Sequence, residues 1–506
     1  MELRPYQREA INAIEIEWRE GLRKKLLLVL PTGCGKTICF NSIAHNHNRV
    51  LILAHREELI DQAIDKYTKM FDEPVGKVKA QENHIENVTV GSIQTMSRRS
   101  YDESMFDYII IDEAHHAISD SYQKFLKQFP TAHVLGVTAT PDRQSKKQLG
   151  DYFEDIAYQY TLKQAIKEGY LSPIVAQTVP LPIDLSNVTV KVGDFEVNSV
   201  AATLEPYLPE IAKSIKEYAG DRKTVVFLPL VHIAQEFRDE LLKVGLDARE
   251  VNGESPDRKD ALEWFDKAPK GSVLCNAMLL TEGWDCPSCD CVVMLRPTKI
   301  TSLYQQAIGR GTRLYPGKKN LLILDFLWLS TRHNLCRPAS LVTDNEDDVK
   351  TVSKKSENEQ IELFGAVSDA EEARKQALAE ALRAKSKKKA KLINPLELFD
   401  VLDDIELADH EDVFAWEKED ASQKQINALA KFGIDADGIT KGYAAAIMNK
   451  VIARSKAGLA SMKQVRFLRR YGYKNVEKWS MDKATNKIKA LAAAGWQRYR
   501  LHDSDE

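Results

Sequence analysis

The chain has 506 residues, 43% of them hydrophobic and 29% charged, with a formal net charge of −3. That length allows several domains with cores of their own, and the composition is ordinary for a soluble globular protein. A membrane partner is excluded because no apolar run approaches the ~20 residues that a bilayer requires, and a secreted disulfide scaffold because seven cysteines are too few and odd in number.

From the N-terminus to about residue 340, short apolar runs alternate with helical patterns. Candidate strands are Leu26–Leu30, Val50–Ala54, Val88–Ile93, Tyr108–Ile111 and Val134–Thr138, then Thr224–Leu228, Ala248–Val251, Ser272–Cys275, Cys291–Met294 and Leu321–Asp325. These runs are apolar on both faces, as strands covered by helices on both sides must be. Two such sets predict two parallel-sheet α/β domains, at residues 1–162 and 211–342. Between them, residues 163–210 contain Pro173, Pro180, Pro182, Pro206 and Pro209 and read as a connector rather than sheet. Residues 343–360 have too few apolar side chains to offset their ordering entropy and read as flexible coil. Ala370–Lys391 reads as a charged helix within an acidic linker, 343–420.

Residues 421–500 reverse the charge balance, with 17 Lys and Arg against 4 Asp and Glu. They also contain a repeat: Ser422-Gln-Lys-Gln-Ile-Asn-Ala-Leu-Ala-Lys-Phe-Gly433 aligns with Ser461-Met-Lys-Gln-Val-Arg-Phe-Leu-Arg-Arg-Tyr-Gly472. Each copy opens on a Ser N-cap, keeps apolar residues at helical spacing, closes on Gly, and is followed by a second helix. The pattern predicts a small all-α accessory module suited to nucleic-acid phosphates. A solvated helical surface is the plainer reading.

Leu26–Leu30 runs into Pro31-Thr32-Gly33-Cys34-Gly35-Lys36-Thr37 and a helix. A glycine-rich turn at a strand end exposes backbone N–H groups to phosphates, Lys36 adds positive charge, and the Thr37 hydroxyl suits Mg²⁺. Leu30 stands where the general P-loop pattern has its first glycine. Tyr108–Ile111 ends in Asp112-Glu113-Ala114-His115, which places one acid to hold Mg²⁺ and the next to polarise an attacking water.

These motifs, followed by Thr138-Ala-Thr140-Pro141, Thr281-Glu-Gly283-Trp-Asp285 and Gln306-Ala-Ile-Gly-Arg310-Gly-Thr-Arg313, resemble the superfamily 2 helicases of the DEAD/DEAH type. The resemblance covers residues 1–340, with motifs in the family's order, and is nearest to the bacterial and phage DNA-helicase branch. It implies two tandem RecA-like parallel-sheet domains followed by the all-α module, with ATP and Mg²⁺ as cofactors. By the same resemblance Gln7 reads adenine, while Thr32, Gly33, Cys34, Gly35, Lys36 and Thr37 hold phosphate. Thr37 and Asp112 hold Mg²⁺, and Glu113 serves the attacking water. Gly283 and Asp285 approach the nucleotide from the second domain, Gln306 positions water or γ-phosphate, and Arg310 and Arg313 are arginine fingers. Thr138 and Thr140 couple the site to the cleft, and Arg56, Thr95 and Thr281 touch the nucleic-acid backbone. Ala307 departs from the family, many members of which carry Arg after the motif's glutamine.

Cys286-x-x-Cys289 and His333-x-x-Cys336 have zinc-compatible spacing, but the first pair adjoins a core strand where small buried cysteines are common. The expectation is an ATP-dependent DNA helicase or translocase acting on single-stranded, duplex or branched DNA, in the cytoplasm of a bacterial or phage-infected cell. An RNA helicase and a nucleotide-gated DNA-binding scaffold are the alternatives.

Overall fold

A computed structural model describes all residues except 1, 22, 56, 140–148, 187, 192–193, 253–257, 278–285, 330–334, 358, 386–406, 408–409, 433, 435, 437, 494 and 497–506. The described chain forms two compact units, Met1–Glu371 and Glu372–Glu506.

The first unit contains two large sheets. The first sheet has β1 (Lys25–Val29), β2 (Val50–Ala54), β3 (Gly76–Lys79), β4 (Glu82–His84), β5 (Val88–Ser92), β6 (Tyr108–Asp112), β7 (His133–Thr138) and β8 (Asp155–Gln159). Their order is β4-β3-β5-β2-β6-β7-β1-β8, and among the described strands only the β3–β4 pairing at the edge is antiparallel. The second sheet has β9 (Ile174–Asp184), then, beyond a separate hairpin of β10 (Val190–Lys191) and β11 (Asp194–Phe195), β12 (Thr224–Leu228), β13 (Asp247–Val251), β14 (Ser272–Ala277), β15 (Cys291–Met294), β16 (Leu321–Leu329) and β17 (Ile361–Glu362). Its order is β13-β14-β12-β15-β16-β9-β17, with β17 antiparallel to β9.

Both faces of the second sheet are buried. Val226, Leu228, Val293 and Leu324 pack against Ile211, Ile215, Ile233 and Phe237 on one side. Val225, Phe227, Val292 and Ile323 pack against Phe265, Ile308, Leu363 and Val367 on the other. Each such side chain contributes ~1.5–3 kcal/mol on leaving water, which is why the strands tolerate so few polar residues.

Two expectations from the sequence are corrected. Segment 163–210 is not a connector without sheet, because β9 lies within it and pairs in parallel with β16. Its prolines fit a strand because β17 pairs only with Val175 and Ala176, leaving the far end of β9 an edge, and because the register with β16 shifts between Phe326 and Leu327, beside Pro180 and Pro182. Residues 343–360 are not coil either, since Glu346–Ser356 is a helix. Asn345 accepts the N–H groups of Asp347 and Asp348, acids fill the first turn, lysines fill the last, and buried Val352 anchors the helix in the second core.

In the second unit the repeat is structural. Helices Gln423–Lys431 and Lys441–Lys456 form one copy, and Met462–Arg470 and Met481–Ala493 the other. Ser422 with Gln425, and Ser461 with Gln464, make reciprocal capping boxes. The two copies also share a bridge position, Asp420–Thr440 in the first and Leu459–Ser480 in the second. Leu429, Ile447, Val451, Val465, Leu468 and Leu491 form their common core.

Candidate ATP site

In the first sheet β1, β7 and β6 lie side by side, so their C-terminal ends bring three sequence motifs to one edge. The Leu30 N–H donates to the Thr138 carbonyl at the end of β7 (3.0 Å), folding the following turn over that edge. Gly33 and Gly35 have φ of +90° and +79°, backbone that only glycine adopts cheaply, and Gly35 caps the helix Lys36–His45. A Cβ on Gly35 would lie 2.5 Å from the Gln7 Nε2. The turn is thus a cradle of backbone N–H groups at a helix N-terminus, the arrangement that binds phosphate. Leu30, the departure from the P-loop pattern, is buried in the first core.

Gln7 is tied to this turn. Its Oε1 accepts the Arg4 N–H (2.9 Å) and its Nε2 donates to the Cys34 carbonyl (3.1 Å), which the Tyr6 hydroxyl also reaches (3.0 Å). Tyr6 stacks on Tyr160 at 4.3 Å. Burial pushes the Cys34 thiol up to about 11, so the thiol stays protonated at neutral pH.

At the end of β6, Glu113 has φ +53°, an uncommon conformation for a side-chain-bearing residue. The Lys36 Nζ lies 3.4 Å from the Glu113 Oε1, with both side chains largely buried. Burial, and after it the Glu113 charge, pushes Asp112 up to about 6. Two carboxylates beside one ammonium make an oxygen-rich site that favours a hard cation, and the Thr37 hydroxyl stands at the start of the neighbouring helix. This donor set fits Mg²⁺, which is commonly held by one or two carboxylates together with nucleotide phosphates and water.

The second sheet supplies the opposing wall. Helix Thr301–Gly309 ends against the P-loop, where a Cβ on Gly309 would lie 2.6 Å from the Thr32 Cβ. A Cβ on Gly33 would lie 3.4 Å from the Arg313 Cγ, so Arg313 already sits over the first domain's glycine turn. A cavity between the sheets is lined by Pro31, Thr32 and Ala139 on one side and by Gln305, Ile308, Gly309 and Thr312 on the other. Gln305 lines this cavity, whereas Gln306 is buried and is not among its walls. Lys66 feels the charges of Arg313, Asp112 and Arg310; its pKa is lowered, first by burial and then by Arg313.

The arginine loop is held by groups that the sequence did not single out. The Ser172 N–H donates to the Thr312 carbonyl (2.7 Å) and its hydroxyl to the Arg313 carbonyl (3.1 Å). The Lys318 ammonium donates to the carbonyls of Pro287 (3.3 Å), Cys289, Gly311 and Arg313 (3.0 Å). Lys318 lies in Pro316-Gly-Lys-Lys319, which reads as a surface turn, so no sequence signal marks it. Gln305 and Gln306 are neighbours, and only helix phase separates them.

The other expected residues are placed unevenly. Thr138 is buried at the end of β7. Thr95 follows β5, and its hydroxyl accepts the Ala80 N–H (3.0 Å). Arg56, Thr140, Thr281, Gly283, Asp285 and His333 lie outside the described residues. Cys286, Cys289 and Cys291 are core residues whose thiols burial pushes up. A line of contacts leads from Glu113 to His55. His115 Nδ1 is 3.6 Å from the Glu113 Oε2, His115 and His116 are 4.2 Å apart, and His116 and His55 are 4.1 Å apart.

A glycine turn on one parallel sheet, faced by an arginine loop on a second, is the arrangement of paired superfamily 2 helicase domains. Residues 1–143 match the family described as type III restriction enzyme, res subunit, and residues 207–315 match the helicase conserved C-terminal domain. These domains imply ATP binding. The chain is homologous to helicases and to restriction-enzyme subunits. It is 29% identical over 414 residues to the proposed ATP-dependent helicase IRC3 of Saccharomyces cerevisiae, covering 76% of this chain and 59% of that protein. It is 32% identical over 383 residues to the proposed mitochondrial ATP-dependent helicase irc3 of Schizosaccharomyces pombe, covering 71% and 62%. The chain therefore spans about three-fifths of the length of these relatives. Among solved structures, a fragment of a proposed HsdR subunit of a type I restriction enzyme from Vibrio vulnificus superposes with a TM-score of 0.51 at 26% identity, covering 64% of this chain and 63% of that one. Among the described residues no helix is long and apolar enough to cross a membrane.

Proposed function

We propose that the chain is an ATP-dependent DNA helicase or translocase in which closure of the two sheets assembles the hydrolytic site. The observation that carries this reading is the seating of Gly309 and Arg313 of the second sheet against Thr32 and Gly33 of the first. In this reading the turn 32–37 holds the nucleotide phosphates, Thr37 and Asp112 hold Mg²⁺, and Glu113 orients and polarises the attacking water. Bound Mg²⁺ supplies charge neutralisation on the phosphate oxygens. Arg310 and Arg313 meet the charge that develops on the transferred group, and a planar guanidinium does this well. Because they come from the other sheet, hydrolysis is possible only when the sheets are together, and loss of that contact after hydrolysis provides a stroke. Gln306 acts behind this layer, and Gln7 bears on adenine while bracing the Cys34 carbonyl.

The restriction-enzyme relatives favour DNA as the ligand. The type I restriction enzyme EcoAI endonuclease subunit of Escherichia coli is 28% identical over 371 residues, covering 64% of this chain and 46% of that one. Contacts from Arg56, Thr95 and Thr281 to the sugar–phosphate backbone would be sequence-independent. The reading places the motor in residues 1–342, the helical accessory module in residues 421–500, and the protein in the cytoplasm of a bacterium or phage-infected cell. The test is the rate of ATP hydrolysis with single-stranded, duplex, forked and RNA ligands, each at two salt concentrations. Stimulation by DNA that weakens with salt is expected. Equal or greater stimulation by RNA would replace DNA as the substrate, and binding of DNA without stimulated hydrolysis would leave a nucleotide-gated scaffold.

A further inference from the structure

The two copies of the helical repeat act as each other's control. Positions that build the scaffold are alike in both: the capping Ser and Gln and the buried Leu429 and Leu468. Positions on the outer face are not alike. Asn427, Ala428 and Ala430 of the first copy are replaced by Arg466, Phe467 and Arg469 in the second. Residues 461–500 hold 11 basic and 2 acidic side chains, whereas residues 421–460 hold 6 and 2. Gln423 also gives way to the buried Met462, but the capping residues and the buried leucine are kept, so the Arg and Phe substitutions alter what the second copy presents more than how it folds.

The added Phe467 forms a surface with Lys463 and Arg470, cations whose counterparts in the first copy are Lys424 and Lys431. Lys463, Phe467 and Arg470 are spaced i, i+4 and i+7 on one helix, so they share a face. The Phe467 ring lies 5.1 Å from Tyr471 and 5.5 Å from Trp496, and Tyr471 lies 6.3 Å from Trp496. Trp496 reaches this cluster because the chain reverses after the last helix. Gly495 and Trp496 both have positive φ, of 65° and 64°, and the Trp496 N–H donates to the Leu491 carbonyl (2.8 Å). The indole remains 49% exposed, and Lys463, Arg470 and Lys474 are exposed beside this region. Not every aromatic or cation of this copy belongs to the surface. Tyr473 is 2% exposed beneath Trp479 and Lys487, and Arg469 is held by Glu477 at 2.9 Å.

We infer that Trp496, Phe467 and Tyr471, with Lys463, Arg470 and Lys474, form a binding site for single-stranded nucleic acid. Flat apolar rings offer stacking to unpaired bases, and the surrounding cations meet the phosphates. A duplex hides its base faces, so it would use only the cations. The inference rests on the proposed nucleic-acid motor for the class of ligand, and on the second copy alone for the site.

The test uses the full chain without nucleotide and measures affinity for a labelled 20-residue oligo(dT), for oligo(U) and for a blunt duplex. Trp496→Ala should weaken oligo(dT) binding by roughly tenfold, the scale of a single base–aromatic stack, and change duplex affinity by less than about twofold. Trp496→Phe should restore most of the affinity and report that the fold is intact. Lys463→Glu with Arg470→Glu should weaken all ligands and reduce the single-strand salt slope by about 0.7 for each phosphate no longer neutralised. Unchanged oligo(dT) affinity in both Trp496→Ala and Phe467→Ala overturns the site, as does an equal weakening on single strand and duplex. Equal affinities for oligo(dT) and oligo(U) support recognition through bases and phosphates. DNA-stimulated hydrolysis by the unaltered chain reports separately on the motor, so either reading can fail alone.

Discussion

Gly309→Ala isolates the contact on which interdomain closure depends. The new methyl would stand 2.6 Å from the Thr32 Cβ, 3.0 Å from its Cγ2 and 3.1 Å from its Oγ1. Comfortable carbon–carbon contact is ~3.5–4.0 Å, so the groups must separate by about 1 Å. The obstructing atom is a β-carbon in the P-loop, not the far end of a flexible side chain. The strain of forcing the contact is ~1–3 kcal/mol, and parting the two sheets relieves it at little cost to either core. A ~1 Å misplacement at a reacting centre can cost ~10²-fold. We therefore expect kcat to fall ~10–100-fold while ATP affinity, carried mainly by the first sheet, changes less than about threefold. Steady-state hydrolysis, binding of a fluorescent ATP analogue and a thermal melt measure the three quantities. The double variant Thr32→Gly/Gly309→Ala restores the space and should show positive coupling in a double-mutant cycle. Turnover by Gly309→Ala at the unaltered rate would refute the proposed role of this contact.

Lys36→Ala should weaken ATP binding, whereas Glu113→Gln should keep binding and stop turnover; normal DNA-stimulated hydrolysis by Glu113→Gln would contradict its role toward water. Arg310→Ala or Arg313→Ala should keep most ATP affinity and lose ~10³-fold or more in turnover, as arginines supplied across a cleft do. Binding and single-turnover measurements separate the two effects. Lys318→Met leaves four carbonyls without their ammonium and frees the loop that carries both arginines, so kcat should fall about tenfold with KM for ATP little changed. Parallel changes in KM and kcat would make Lys318 a purely structural residue. A chain truncated after residue 385 should keep the ATP site yet bind DNA more weakly and with a shallower salt dependence, and equal affinity and slope would make the tail a protein-docking module. A cut near 345 would also remove Val352, Leu363 and Val367 from the second core.

What the sequence determined by itself was the centre of each sheet and the motifs attached to it. Its ten candidate strands fall on β5, β2, β6, β7 and β1 of the first sheet and on β13, β14, β12, β15 and β16 of the second, each a contiguous run of neighbours. Most of these strands are covered on both faces, so burial leaves a continuous apolar run that can be read directly. Besides the hairpin β10–β11, the strands missed from the two sheets, β3, β4, β8, β9 and β17, lie toward the edges, where exposure, prolines and short length dilute that signal; β13 is the edge strand that was read nonetheless. The P-loop and acid pair were legible for a related reason, since each must follow a strand whose end fixes the backbone. Tertiary structure decided the rest. It set which of two adjacent glutamines lines the cavity, gave Lys318 its four carbonyls, brought Gly309 onto Thr32 and turned Trp496 back onto Phe467. Each of these joins residues distant in the chain or depends on helix phase, and neither composition nor local spacing encodes such a distance.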